Sequence, residues 1–446
     1  MESDIPRPKK AAKAAIDRLL QMRQLWEDAA DSYFEPPRFM LSLQNCITTS
    51  RTVTFILQSN KADIPNFDDW YASHVKRWAS DPIMKWAKKA RNSIEKQGDL
   101  KAHSQVRAEI IAGYLPGPET EWMPQLLFKS PEAIWRAIPK KFHIPHILEN
   151  GTLLIERRWV DSNLPDVEIL EALAHVYSEF CAAIADLLAV NKIPVPSQLD
   201  RTRPDPMGEL AMNRAIYLSM ADGSITGHRF FRKPIAAPTE QIKKKLEKRY
   251  GGKHSWERLR SAKTFQDVAE AIFERARVVM VRDGRHYSFV FLLKALDIIQ
   301  IIRADHPTRA SRYVLMRDFA KLARIANADG VMYLGETWTA HGDDIPTSGF
   351  AIDAKNRGEA IMLSAANSNG EHFQFTSEIT RKRFGSSKVK ALGLVEMESE
   401  GFPFIFTPFL QLWGCLNEEE MMRSFEIMER MGVRSPILNA ERDQVC

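Results

Sequence analysis

The apolar residues of this chain change their period part-way along, and that change constrains the fold more than any other feature. Up to about residue 193 most of them recur at every third or fourth position, which sets them on one face of a helix. Beyond residue 207, apolar runs of strand length alternate with helical segments. Between the two regimes, "IPVPSQLDRTRPDPM" (193–207) carries four prolines and no apolar period. Proline fixes φ and offers no N–H donor, so this stretch reads as a linker. The pattern predicts an α+β chain. A helical N-terminal domain spans 1–193, with a small insertion at about 120–165. Residues 194–262 hold the linker, a hairpin and a basic helix. Residues 263–446 form an α+β domain with an antiparallel sheet and an aromatic C-terminal segment.

Within the first domain, residues 10–34 present Ala15, Leu19, Met22, Trp26, Ala29 and Tyr33 as one stripe, widened by Ile16, Leu20 and Ala30. A stripe that wide packs on more than one neighbour. Pro36-Pro37 ends this helix. A second covers about 38–60, with Phe39, Leu43, Ile47, Phe55 and Leu57 as its core residues. The third is bounded by Asp81 as N-cap, Pro82 in the first turn and Gly98 as stop. "TLLIERRWV" reads as a strand inside the insertion, and helical period returns over 165–190.

After the linker, "AIYLSMADGSITGHRFF" predicts a hairpin turning near Asp222-Gly223. Helices at 265–282 and 308–327 alternate with strands in "YSFVFLL", "LDIIQII", "GVMYLGETW", "EAIMLSAAN" and "HFQFTSEI". That order implies an antiparallel sheet with helices on one face. In "GFPFIFTPFLQLWGCL" (401–416), Phe402, Phe404 and Phe406 alternate as in a strand. Phe409, Leu412, Trp413 and Leu416 then suit a short helix. The segment is core: Pro403 and Pro408 interrupt it and it is too short to span a bilayer.

Composition excludes several classes. The 446 residues suggest two or three domains. A formal net charge of +5 is too mild for a dedicated nucleic-acid binder, so any such site must be a local patch. Cys46, Cys181, Cys415 and Cys446 form no CxxC pair and fit a reducing cytoplasm. The N-terminus "MESDIPRPKK" has no apolar core of a signal peptide. His143 and His146 are spaced as HxxH, but Pro145 lies between them and no cysteine is near, so no metal site and no cofactor are expected. The chain has no GxxxxGK[ST], GxGxxG after a strand, GxSxG or HExxH.

Two groups of residues carry chemistry. From Lys76 to Arg107, nine basic residues face three acids, with Trp78 and Trp86 interleaved. Lys85, Lys88, Lys89, Arg91 and Lys96 are the nucleic-acid-binding candidates there, since basic surfaces with aromatics hold phosphates and stack bases. A second basic run occupies 243–260. "WAKKARNSIEKQGDL" (86–100) resembles the HEPN superfamily, helical domains with an Arg-Asn dipeptide in a late helix, and the resemblance covers roughly 10–193. It implies that Arg91 and Asn92 stand at the motif. In catalytic members a histidine follows the arginine after four to six residues and acts in RNA cleavage. Here those positions hold Lys96, Gln97 and Gly98, and the nearest histidine downstream is His103. Neither Lys96 nor Gln97 transfers protons near neutral pH without a large pKa shift.

The second group is Asp283, His286, Glu336 and Trp338, which sit at a helix-to-strand turn and near a strand end and would line one pocket as an acid/base pair. The pattern "DG.H" followed by "GETW" resembles a small α+β module of bacterial and phage proteins that implies no known activity. Its element order is similar, by topology alone, to the roadblock/longin group, which implies dimerisation and partner docking.

Two readings follow. One is a non-enzymatic cytoplasmic interaction protein that dimerises through its helical domain and docks a protein partner through the α+β domain, with no membrane. The other is an RNA-binding or RNA-cleaving protein of defence or toxin type, acting around Arg91 with Asn92 and His103.

Overall fold

A computed structural model of the chain describes residues 7–98, 100–114, 121–122, 128–199, 215–226, 239–251, 253–306, 308–382 and 387–433. The linker beyond residue 199 and the second arm of the expected hairpin beyond residue 226 lie outside them.

The helical part consists of α1 (Arg7–Asp31), α2 (Pro36–Ser59), α3 (Phe67–Trp78), α4 (Pro82–Gln97) and, after a sheet, α7 (Ile169–Val190). Every residue of the α1 stripe from Ala15 to Tyr33 is buried. Its width is used by two neighbours: α2 covers one side and α7 the other. Trp26 sends its indole N–H to the Leu170 carbonyl at 2.7 Å, which fixes the α1–α7 contact. α7 has the length and apolar composition to cross a membrane, yet it is the helix on which α1, α2 and α4 pack.

Two expectations are corrected here. Pro36-Pro37 does not merely stop α1, which already ends at Asp31; the prolines open α2, where a fixed φ suits the first turn and the missing N–H would have had no partner. Phe55 is not core: it is 38% exposed and lies under the Arg51 guanidinium, 4.4 Å from the ring centre.

The first sheet is ordered β2-β1-β3-β4, all neighbours antiparallel, from β1 (Ala102–Ile111), β2 (Glu121–Trp122), β3 (Thr152–Asp161) and β4 (Ala215–Ser219). Short helices α5 (Pro131–Arg136) and α6 (Pro145–Asn150) lie between β2 and β3. The expected strand "TLLIERRWV" is β3. β1 was not anticipated, although Ser104, Val106, Ala108 and Ile110 alternate along its buried side. β4 follows the proline-rich stretch in sequence and pairs with β3, so this sheet draws on both sides of it.

The second sheet runs β10-β9-β8-β7-β5-β6, with β11 also on β9. Its members are β5 (Phe289–Lys294), β6 (Asp297–Arg303), β7 (Gly330–Thr339), β8 (Gly358–Asn367), β9 (His372–Arg381), β10 (Val389–Leu392) and β11 (Glu396–Glu398). The helices are α8 (Glu240–Tyr250), α9 (Lys253–Ser261), α10 (Phe265–Asp283), α11 (Arg309–Ile325), α12 (Thr407–Trp413) and α13 (Glu418–Arg430). The chain is α+β as expected, but the helices are not confined to one face. Phe291, Leu293, Met332 and Leu334 point into α10, while Val290, Leu292, Val331 and Tyr333 point into α11 and α12. The strands are apolar on both sides, and such a sheet must be covered twice.

The aromatic segment is core but not a strand. Phe404–Phe406 is a 3-10 turn that runs into α12, with Thr407 Oγ1 donating to the Phe404 carbonyl at 2.6 Å and Pro408 in the first turn. The turn replaces alternation by helical spacing. Phe406 and Phe409 are fully buried, whereas Phe404 is only half-buried.

Candidate functional site

Asp81 caps α4 by accepting from the N–H groups of Ile83 and Met84 at 2.8 and 3.1 Å. His175 of α7 meets its other oxygen at 2.6 Å. Partial burial works against the Asp81 carboxylate, but these bonds still hold it below the usual range. At the other end Gly98 takes φ +84°, which ends the helix without a Cβ penalty.

Between these caps, Lys85, Lys88, Lys89 and Lys96 are exposed, and no ion pair holds them among the described residues. Arg91 is engaged within its own helix: Nε pairs with Glu95 at 2.7 Å and Nη1 donates to Asn92 Oδ1 at 2.9 Å. Its guanidinium also lies 5.7 Å from the Phe55 ring centre. Asn92 Oδ1 is therefore an acceptor for Arg91. His103 sits on β1 opposite Val160, and no hydrogen bond joins it to Arg91 among the described residues. The tryptophans turn inward: Trp86 is buried, and Trp78 packs edge-on against Phe180 with its N–H on Glu179. In the second basic run, Arg249 is held by Asp283 and Arg258 by Glu274.

The other four candidates are brought close together but into two separate arrangements. Desolvation opposes the Asp283 carboxylate, but Asp283 accepts from Arg249 and, at 2.7 Å, from the Tyr250 hydroxyl, and these bonds together keep its carboxyl below the usual range. Glu336 meets His286 through the His286 backbone N–H, at 2.6 Å, not through the ring. Its second oxygen lies 3.1 Å from Arg381, which also pairs with Glu359 at 2.6 Å and donates to the Gly284 and Ser387 carbonyls. The His286 ring pairs instead with the Tyr287 carbonyl at 2.6 Å, and burial lowers its pKa. Trp338 is 39% exposed with Arg357 stacked over it at 4.4 Å. Asp283 and His286 share a cavity of about 460 Å³ that neither Glu336 nor Trp338 lines. The expected acid/base pair is thus an ion-pair clamp joining the α10–β5 turn to β7, β8 and β9.

No cluster of three or more potential metal-ligating groups exists among the described residues. His146 faces the Ala112 carbonyl at 3.0 Å and is lowered by burial, and His143 ends a 3-10 turn.

Sequence spacing gave no sign of two buried polar pairs where the α+β domain meets the first sheet. Glu109 of β1 pairs with Arg317 of α11, and the Tyr217 hydroxyl donates to Asp318 at 2.5 Å. A cavity of about 540 Å³ opens nearby, lined by Tyr114, Arg312, Phe350, His372, Phe402 and Phe404 among others. Beside it, His306 Nε2 shares a hydrogen bond with the Tyr333 hydroxyl, which donates on to Ser288.

Burial first, and then the charge of Arg312, lower the His306 pKa to about 4. The folded state therefore binds this proton less readily than the unfolded chain, whose histidine titrates near 6.5. Its contribution is complete above pH 6.5 and is lost as pH falls toward 4, a total of about 3 kcal/mol. We expect His306→Gln to flatten the stability profile between pH 7 and 4.5. Parallel profiles for the two proteins in urea unfolding would contradict this.

Comparison with known proteins gives one consistent answer. The family model described as Bacteriophage lambda protein ea47 matches residues 7–426. Protein ea47 of Escherichia phage lambda is 30% identical over 328 residues, covering 72% of this chain and 78% of the relative. No solved structure matches.

Proposed function

The chain belongs to the bacteriophage lambda ea47 family, and from that premise we propose that it is a cytoplasmic interaction protein rather than an enzyme, which self-associates and docks a protein partner through its α+β domain. The observation that carries this reading is an apolar groove of about 220 Å³ beside an open sheet edge, lined by Ile272, Ala276, Val279, Phe289 and Ile301. The charged groups near it support the same reading: Asp283, Glu336 and Arg381 are engaged in holding the turn, not in facing a reactant. The helical domain is then a HEPN-like scaffold that keeps Arg91-Asn92 without the acting histidine. Because α2 and α7 close the α1 stripe, self-association falls to another surface.

A second reading has its own observation. The exposed Lys85, Lys88, Lys89 and Lys96, with half-open Phe55 between Arg51 and Arg91, would let single-stranded RNA lie along α4. Incubating the purified protein with labelled single-stranded RNA separates the two. We expect neither a gel shift nor a cleavage ladder. A salt-sensitive shift, lost on Lys88→Ala/Lys89→Ala, would replace the first reading by the second.

A further inference from the structure

We propose that the cavity of about 540 Å³ between α11, α13 and the second sheet binds a small aromatic monoanion, whose negative group pairs with Arg312 and whose ring lies against Phe404. This site goes beyond the docking reading and does not depend on it.

Stretches far apart in sequence build the walls: Arg312 early in α11, the 348–350 loop, Met362 of β8, Gln374 of β9, the 398–405 segment, and Phe425 of α13. The volume lies in the range of small-molecule sites, about 300–1,000 Å³. The loop wall is held in place. Arg309 stacks on the Phe350 ring at 3.1 Å, and Ser348 Oγ donates to Asp353 at 2.6 Å. Between them Gly349 has φ +72°, and a Cβ there would stand 2.6 Å from Val433.

Arg312 is a cation without a counter-charge. It forms no ion pair among the described residues, and its Nε is buried without an acceptor. Its charge acts on Tyr114, Tyr313, Tyr333 and His306. Burial keeps all four neutral near pH 7, because it raises the phenols, Tyr114 to about 12, and lowers the imidazole. Arg309 is close enough to repel it, but Arg309 has Asp353 at 3.8 Å and the Phe350 ring. A half-buried guanidinium among neutral groups and a second cation has lost hydration that an anion restores. Its planar fork suits a carboxylate or a sulfonate.

Phe404 is the ring left open. It is half-buried although Phe402 and Phe425 pack on it at 5.0 and 4.7 Å, inclined by 70° and 44°. A flat ring in the cavity completes this cluster through offset or edge contacts. Glu398 and Glu400 line the same cavity and are exposed. Their charges oppose a polyphosphate and leave a single negative charge as the match for Arg312.

The probe is anilinonaphthalene sulfonate, an aromatic monoanion that fluoresces on leaving water. Phenylnaphthylamine, the same rings without the sulfonate, is the control. On the full, unaltered chain the sulfonate should saturate one site and bind at least as tightly as the more apolar control. Arg312→Met should weaken the sulfonate at least about tenfold and change the control by less than about twofold. Phe404→Ala should weaken both dyes. Circular dichroism checks that each variant is folded. If Arg312→Met does not fold, raising the salt concentration on the unaltered chain replaces it and should weaken the sulfonate alone. The proposal is overturned by sulfonate binding that never saturates, by a sulfonate affinity indifferent to Arg312→Met or to salt, by equal losses for the two dyes on that change, or by a Phe404→Ala that moves neither. Each of these leaves the docking reading as it stands.

Discussion

Arg317→Met lowers the stability of the folded chain by about 3 kcal/mol, the low end of the range for breaking a buried ion pair. Glu109 and Arg317 have side chains only 4% and 12% exposed, and the arginine is the main partner of the carboxylate. Removing it leaves a buried charge that water cannot reach. The loss stays at the low end because Arg107 still approaches Glu109 at 3.3 Å. Replacing both partners by methionine removes the stranded charge, so the double variant should be more stable than the single one. Arg107 then keeps Glu156 at 2.7 Å. Urea midpoints at constant m-value read the comparison. A double variant as unstable as the sum of the two singles would contradict the pairing. Because this pair ties α11 to β1, the same experiment reports on the junction between the α+β domain and the first sheet.

Phe409→Ala costs about 3–5 kcal/mol, as expected for a large core ring removed without collapse of its site. Phe409 is fully buried, with Phe406 at 6.1 Å and Trp413 at 5.9 Å, on the face of α12 turned to α11. Phe404→Ala should cost clearly less, because that ring is half-buried at the cavity rim and already touches Phe402 and Phe425. A strand through 402–406 would rank the two the other way, since it puts Phe404 in the middle of the buried row. Thermal melts of the two variants distinguish these arrangements: equal shifts would refute the 3-10 turn as the element that sorts the rings.

Local signals were legible wherever a few neighbouring residues settle the matter. Asp81-Pro82 and Gly98 bound α4 because a carboxylate near free N–H groups, a fixed φ and an unhindered positive φ act within one turn. Strands β5, β6, β7, β8 and β9 of the second sheet were readable as apolar runs, whereas the short β10 and β11 were not. β1 was missed because Gln105, Arg107 and Glu109 interrupt the run, and only the alternating Ser104, Val106, Ala108 and Ile110 mark it. At the candidate site, the sequence brought Asp283, His286 and Glu336 to one neighbourhood. It did not show that the carboxylates are taken by Arg249 and Arg381, because those arginines come from α8 and β9.

By itself, then, the sequence determined the helices α1, α2, α4, α7, α8, α10, α11 and α12, most strands and the α+β class, though not α3, α5, α6, α9 or α13, since propensity, capping and period are set by residues within a turn or a pleat of one another. Tertiary structure alone decided which surfaces remain open. Whether the α1 stripe is a free face depends on α2 and α7 closing over it, and whether Glu109 is a reactive acid depends on Arg317 returning to it from 208 residues away. β6 shows both sides of this division. Its pattern of isoleucines and end charges is written in seven consecutive residues, but only the strand order leaves that strand at an edge, where backbone groups without partners can be used.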